Sequence, residues 1–236
     1  RRCLALDEMG LGYTEVAAGQ DVSFASQARM IAAFLDATNI ASVDLVGNDT
    51  GAGISQIFAA TYPAKVRSLT LTNCEVHDLW PNALLTGFYE GVASGVVPQL
   101  MKKMLSDLTL ARQQLAALVY ENDEMFTAGT VHAYLEPIIA AEARVLQFQH
   151  LGDWKKHRAQ LMEVAPQLRS SQLPTQVIWG DAAPVFDAEP SLKWLQTNLG
   201  GLKEITRVPR AKLFFPEEHP RLVSVLLTKF WQTLTK

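Results

Sequence analysis

The chain is poor in cysteine, in charge and in basic runs, and each shortage excludes something. Only Cys3 and Cys74 occur among 236 residues. Two cysteines are too few for a disulfide framework, and their apolar surroundings predict two buried free thiols. Charged residues make up 19% of the chain, and the net charge of -3 comes without any Lys or Arg cluster, which leaves no footprint for nucleic acid or an anionic membrane surface. The longest apolar stretch, 84–101, is interrupted by Glu90, three glycines and Pro98, so it predicts a pocket-lining segment, not a membrane span. No secretory signal, fixed-period repeat or low-complexity tract is visible, and the cytoplasm is the expected compartment. No group of His, Cys, Asp and Glu has metal-ligand spacing. Gly10-x-Gly12 lacks the third glycine of a dinucleotide site, so no cofactor is expected.

What the chain does have is apolar bulk, at 48% hydrophobic residues, enough for one sizeable core. Short apolar runs at 3–6, 43–46 and 68–74 predict buried strands, and the strand pattern resumes at 175–179 and again at 203–208. Amphipathic stretches predict helices after Ser23 to about Asn39, from Ile54 to Tyr62 (where Pro63 stops the run), over 189–199 and over 220–235, the last with Leu222, Val225, Leu226 and Phe230 inward. Strands alternating with helices predict an α/β fold with a mostly parallel sheet covered on both faces. Between about His77 and Ser171 the strand signal vanishes and helices remain. The expected organisation is therefore a core of 1–76 and 172–236 interrupted by a helical cap, 77–171.

The most informative stretch is Val43-Asp44-Leu45-Val46-Gly47-Asn48-Asp49-Thr50-Gly51-Ala52-Gly53. An apolar strand runs into Gly-x-Asp-x-Gly and straight on into a helix, which is the form of a nucleophile elbow with Asp49 at its apex. The sharp bend strains the central residue and leaves no room for bulk two positions to either side, which Gly47 and Gly51 satisfy. The helix N-terminus favours an anion beside it.

With this elbow on the page, the chain resembles the α/β-hydrolase superfamily, on the branch of the haloalkane dehalogenases and epoxide hydrolases. The resemblance is carried by Asp7-x-x-Gly10-x-Gly12-x-Thr14, the elbow 45–53, Tyr62 through Leu71, Leu173 through Gly180, and Phe214 through Pro220. It implies an Asp carboxylate that attacks carbon to form an ester, a His that activates water to hydrolyse it, and an acid that orients the His. It also implies strands ahead of residue 3 that the chain, beginning Arg1-Arg2, does not contain, so an N-terminally incomplete sheet is expected. A second copy exchanging an element, hence a homodimer, is one way to fill that gap.

The chain departs from the pattern at the partners of Asp49. Counting back from Glu218 and Pro220 puts the His position at Leu213, and Ala183 takes the acid position. His219, Asp181 and Glu75 are the substitute candidates, each with a bland alternative: a surface His, a loop carboxylate, a strand-end cap. Thr50 replaces the Trp whose indole helps hold a halide. Asn73 and His77 fall at the end of the sixth family strand, at the pocket mouth. Tyr89, Tyr120 and Tyr134 are available by type as acids. His132, His150 and His157 are expected to be exposed or capping. Phe88, Leu100, Met101, Met104, Met125 and Phe126 are candidate pocket walls. The expected function is hydrolysis of a C–halogen, epoxide or ester bond in a small apolar molecule through Asp49. The alternative is a catalytically impaired hydrolase fold kept as a binding or scaffold protein.

Overall fold

The computed structural model describes residues 1–17 and 19–234. Four strands form one parallel sheet in the order β1 (Val43–Asp49), β2 (Val66–Cys74), β3 (Thr175–Gly180), β4 (Leu202–Val208). Helices α1 (Phe24–Ala37) and α2 (Thr50–Thr61) flank β1 in the chain, α10 (Ala188–Asn198) joins β3 to β4, and α11 (Phe215–Glu218) with α12 (Pro220–Thr233) closes it. Residue 235 of the expected last helix lies outside the described residues.

Helices cover both faces, because alternate side chains of a strand point to opposite sides. Val177 and Trp179 of β3 join the main core with Ile54, Phe58, Leu69 and Leu71, whereas Ile178 between them packs with Val208, Ala211 and Phe215 beneath α12. Each of these positions in β3 is fully buried, as a central parallel strand requires.

Between β2 and β3 the chain contains helices and loops but no strand: α3 (Ala83–Ala93), α4 (Val96–Met104), α5 (Leu108–Ala111), a π-turn over Arg112–Ala116, α6 (Ala117–Val119), a 3-10 turn over Asp123–Met125, α7 (Ala128–Ile139), α8 (Glu142–Leu151) and α9 (Trp154–Ser170). The last of these does not belong with the roof formed by the others. It packs on α1 and α2 beside the sheet, where its His157 stacks on Phe24 at 4.2 Å.

Four expectations are corrected. Residues 3–6 form no strand and Cys3 is exposed, because no strand among the described residues pairs with them and extended backbone alone is not held. Leu222 and Val225 are exposed, leaving Val223, Leu226 and Phe230 as the packed positions of α12. His157 is buried; its ring serves as a flat apolar plate against Phe24, a contact from a distant part of the chain. Helix α2 begins at Thr50 and not at Ile54, since the reversal is completed by the single residue Asp49. No helix among the described residues is long and apolar enough to cross a membrane.

Candidate active site

Asp49 sits between β1 and α2 with φ +53° and ψ −132°, a conformation that a non-glycine residue adopts only under constraint. The constraint is visible around it. A Cβ on Gly47 would lie 2.6 Å from the Ala52 Cα, the Gly51 carbonyl oxygen and the Ser55 Oγ, so nothing larger than glycine fits under the bend. On Gly53 a Cβ would come within 2.7 Å of Phe24 and 3.0 Å of the Glu75 Oε2. Gly51 is less confined: its nearest neighbour would be the Glu8 Oε1 at 3.3 Å. The sequence argument from bulk therefore holds for Gly47 and not for Gly51, which lies under a carboxylate, while Gly53 is confined by Phe24 and Glu75.

Asp49 lines a cavity of about 740 Å³ between the ends of the strands and the helical roof. The walls are mostly apolar: Phe24, Leu85, Phe88, Val92, Met101, Leu118, Leu135, Ile138, Val185 and Leu213. The polar lining consists of Asp7, Glu8, Asn48, Asp49, Thr50, Tyr89, Tyr134 and Glu217, with no Lys, Arg or His among the described lining residues.

Burial pushes the Asp49 carboxyl up to about 7, against the opposing pull of the Thr50 backbone N–H. Burial also raises Glu8 to about 7, reinforced by the nearby Asp49 charge. Glu75 is raised well above the usual carboxylate range, again first by burial and then by Asp49. It stands behind the elbow, outside the cavity lining, where its Oε1 accepts from the Thr50 hydroxyl at 3.2 Å and its backbone carbonyl accepts from Gln56 Nε2 at 2.8 Å. Tyr89 is held well above its ordinary range by burial, then by Glu75 and Asp49, and keeps its phenolic proton.

Of the sequence candidates, the structure brings Asp49, Thr50, Tyr89 and Leu213 together around the cavity. Asn73 is instead a clamp between strand ends: its Nδ2 donates to the Gly180 carbonyl at 2.9 Å and its Oδ1 accepts from the Gly180 N–H at 2.7 Å. Asp181 is tied to Arg207 at 2.8 Å at the surface. His77 stacks on Trp194 and meets the Asp78 carboxylate at 2.7 Å. His219 faces Glu121 at 3.5 Å at the start of α12. None of these four lines the cavity. Phe88 and Met101 are walls as expected, whereas Leu100, Met104, Met125 and Phe126 are not.

Glu8 and Glu217 were missed by sequence reasoning. Glu8 follows Asp7 directly at the mouth of an apolar run, and that acidic pair was the available signal. Glu217 accepts hydrogen bonds from the Tyr120 and Tyr134 hydroxyls, one on each carboxylate oxygen, an arrangement between distant segments that no local pattern announces. The loop carrying Glu8 is firmly held. Gln27 closes a pair of bonds with the Met9 N–H and carbonyl at 2.9 and 2.7 Å. Arg144 of α8 donates to the carbonyls of Leu11, Gly12 and Thr14. Among the described residues no group of three or more His, Cys, Asp or Glu is placed to hold a metal ion.

Comparison with known proteins agrees with this layout. A 2-hydroxymuconate semialdehyde hydrolase of Pseudomonas putida is 35% identical over 127 residues, 51% of this chain and 43% of that protein. A 2-hydroxy-6-oxo-2,4-heptadienoate hydrolase of Pseudomonas putida is 39% identical over 71 residues, 30% of this chain and 26% of that protein. The matched stretches thus span less than half the length of these curated relatives. Among solved structures, a meta-cleavage product hydrolase from Pseudomonas fluorescens superposes with a TM-score of 0.76 at 16% identity, over 96% of this chain and 78% of that one. An epoxide hydrolase superposes with a TM-score of 0.74 at 19% identity, over 97% of this chain and 81% of that one. At such identities the likeness is one of fold. A family model described as alpha/beta hydrolase fold matches residues 1–200, and with the elbow, the parallel sheet and the roofed cavity in place, the chain belongs to the α/β hydrolase fold family.

Proposed function

We propose that this chain hydrolyses a small, neutral, largely apolar epoxide, with Asp49 as nucleophile. The observation that carries the reading is the strained elbow presenting Asp49 to an apolar cavity without a cationic side chain in its described lining. A carboxylate nucleophile attacks a saturated carbon productively, because the resulting ester is hydrolysable. Between the C–halogen and epoxide expectations, the lining favours the epoxide. A departing halide needs positive or N–H-rich surroundings, and here the site offers Thr50 beside acidic groups. An epoxide oxygen stays on the product and needs only a proton donor, a role that Tyr89 fills by keeping its proton in the same cavity.

The dienoate named in one relative carries a carboxylate. An anion of that kind would enter a cavity lined by Asp7, Glu8, Asp49 and Glu217 without a compensating cation, so this substrate class is not carried over. Leu213 in the cavity wall and buried Ala183 favour a second reading, an impaired hydrolase fold that binds its ligand unchanged.

Turnover of neutral aryl and alkyl epoxides in ¹⁸O-water distinguishes the two. Epoxide hydrolysis through Asp49 places ¹⁸O in the Asp49 carboxyl after several turnovers, and Asp49→Asn abolishes diol formation. Unchanged turnover in Asp49→Asn, or diol without label in Asp49, refutes the nucleophile. A ligand recovered intact after long incubation favours the binding reading.

A further inference from the structure

The site has a nucleophile and a proton donor, but the position of the family's His holds Leu213, and no His lines the cavity among the described residues. Hydrolysis of an Asp49 ester still needs a group to take a proton from water. The remaining ionisable groups can be taken in turn. Asp7 accepts from the Tyr13 N–H at 2.9 Å and lies directly under Gly12, where an added Cβ would fall 2.2 Å from its Cγ, so it is committed to its own loop. Glu217 has both oxygens taken by Tyr120 and Tyr134. Glu75 stands outside the lining. Glu8 alone combines a place in the lining, proximity to the first turn of α2 two residues beyond Asp49, and a buried Oε2 without a hydrogen-bond partner. An unpartnered buried carboxylate oxygen is a costly arrangement to keep, and it points to a group with work to do at the site.

Resting on the nucleophile reading above, we propose that Glu8 is the general base of the hydrolytic step, in place of the missing His. In the first step an Asp49 oxygen forms a bond to an epoxide carbon. The carbon–oxygen bond of the ring breaks, and the ring oxygen takes the Tyr89 proton. In the second step water adds to the ester carbonyl carbon while Glu8 accepts its proton. The tetrahedral adduct then collapses, breaking the acyl–oxygen bond. The departing alkoxide takes the proton from Glu8, and the Asp49 carboxyl returns its own proton to the Tyr89 phenolate. Epoxide plus water becomes a diol and every group is restored. The charged groups felt by Glu8 are Asp49 and Glu75, both acidic. Burial first, and then the Asp49 charge, gives a carboxylate whose proton affinity suits exchange near neutrality.

The test uses the whole chain with a neutral aryl epoxide, followed by intact-protein mass spectrometry and single-turnover kinetics. Glu8→Gln keeps the shape of the side chain and removes the base. It should still be alkylated, gaining the mass of one epoxide at Asp49, while release of diol slows at least ~10²-fold and the acid limb of the pH profile, where Glu8 becomes protonated, is lost. Glu8→Asp should recover part of the release rate. Thermal melts of both variants check folding. If Glu8→Gln releases diol within about threefold of the parent rate, with the same pH profile, Glu8 is not the base. If neither the parent nor Glu8→Gln is ever alkylated, the nucleophile reading fails and this inference falls with it.

Discussion

Replacing Asp49 by Asn should make the protein more stable, and more so at high pH. The Asp49 carboxyl is held near 7 in the folded chain against an ordinary value of 3.8, chiefly by burial. Its folded pKa is raised, so the folded state binds the proton more tightly than the unfolded one. No penalty exists when both states are protonated, below the unfolded value. It grows as the unfolded chain ionises first, and it is complete once pH exceeds the folded value. With these two values the penalty is ~4 kcal/mol at pH 8 and ~2 kcal/mol at pH 5.5. Asp49 faces a cavity that admits water, so about half of each figure is expected, leaving a gain of ~2 kcal/mol at pH 8 and ~1 kcal/mol at pH 5.5. Asn is isosteric and uncharged, and it tolerates positive φ better than most residues. Urea unfolding of both proteins at the two pH values measures the effect, and a 1 kcal/mol difference moves the midpoint by ~0.4 M at the m-value expected for this size. A variant less stable than its parent at pH 8, or a gain larger at pH 5.5, would refute the assignment of Asp49 as a strained, desolvated acid.

Other outcomes follow from the same structure. Gly47→Ala should lower stability by about 2–4 kcal/mol, read by thermal melting, because the new methyl meets backbone on two sides. His157, buried against Phe24, is lowered from 6.5 to about 4 mainly by burial. Its neutral form contributes stability that is present above pH 6.5 and lost as pH falls through 4. His157→Phe should therefore reduce the acid sensitivity of unfolding between pH 6 and 4 by about 2–3 kcal/mol, and an identical acid limb in the variant would count against this. Arg144→Ala should remove the clamp on the loop and speed hydrogen exchange at residues 11–14 without altering exchange in β3. Tyr134→Phe should cost ~1 kcal/mol and free one Glu217 oxygen, which double-mutant cycles with Glu217→Gln can resolve.

The elbow was legible from sequence because its requirements are local: a turn completed at one residue needs glycine at Gly47 whatever the rest of the chain does. The central strands at 66–74 and 175–180 were legible for a similar reason, since continuous apolar runs suit positions covered on both faces. The stretches 43–49 and 202–208 are strands as expected, but the first is only partly buried, with Val46 exposed, because it lies, like the second, at an end of the sheet formed by the described residues. Residues 3–6 misled because apolar character marks a segment for burial without supplying the neighbouring strand it needs. His157 and Glu217 were not legible because their surroundings, Phe24 in one case and Tyr120 with Tyr134 in the other, come from remote segments. Glu8 shows the limit most sharply. Next to Asp7 in a glycine-punctuated loop it reads as solvated, and only the approach of α2 turns it into a buried acid above Gly51.

The Arg144 clamp ties the helical roof to a distant loop. Its guanidinium belongs to the roof, yet it grips the carbonyls of the segment that carries Glu8 on the floor. Lifting α8 to admit or release a molecule would pull on that segment and draw Glu8 away from Asp49. On the reading proposed above, a raised roof would withdraw Glu8 from an ester at Asp49, coupling opening of the cavity to hydrolysis as an interlock does. Roof closure would then precede ester cleavage, and a turnover limited by closure would not follow the acidity of any single group.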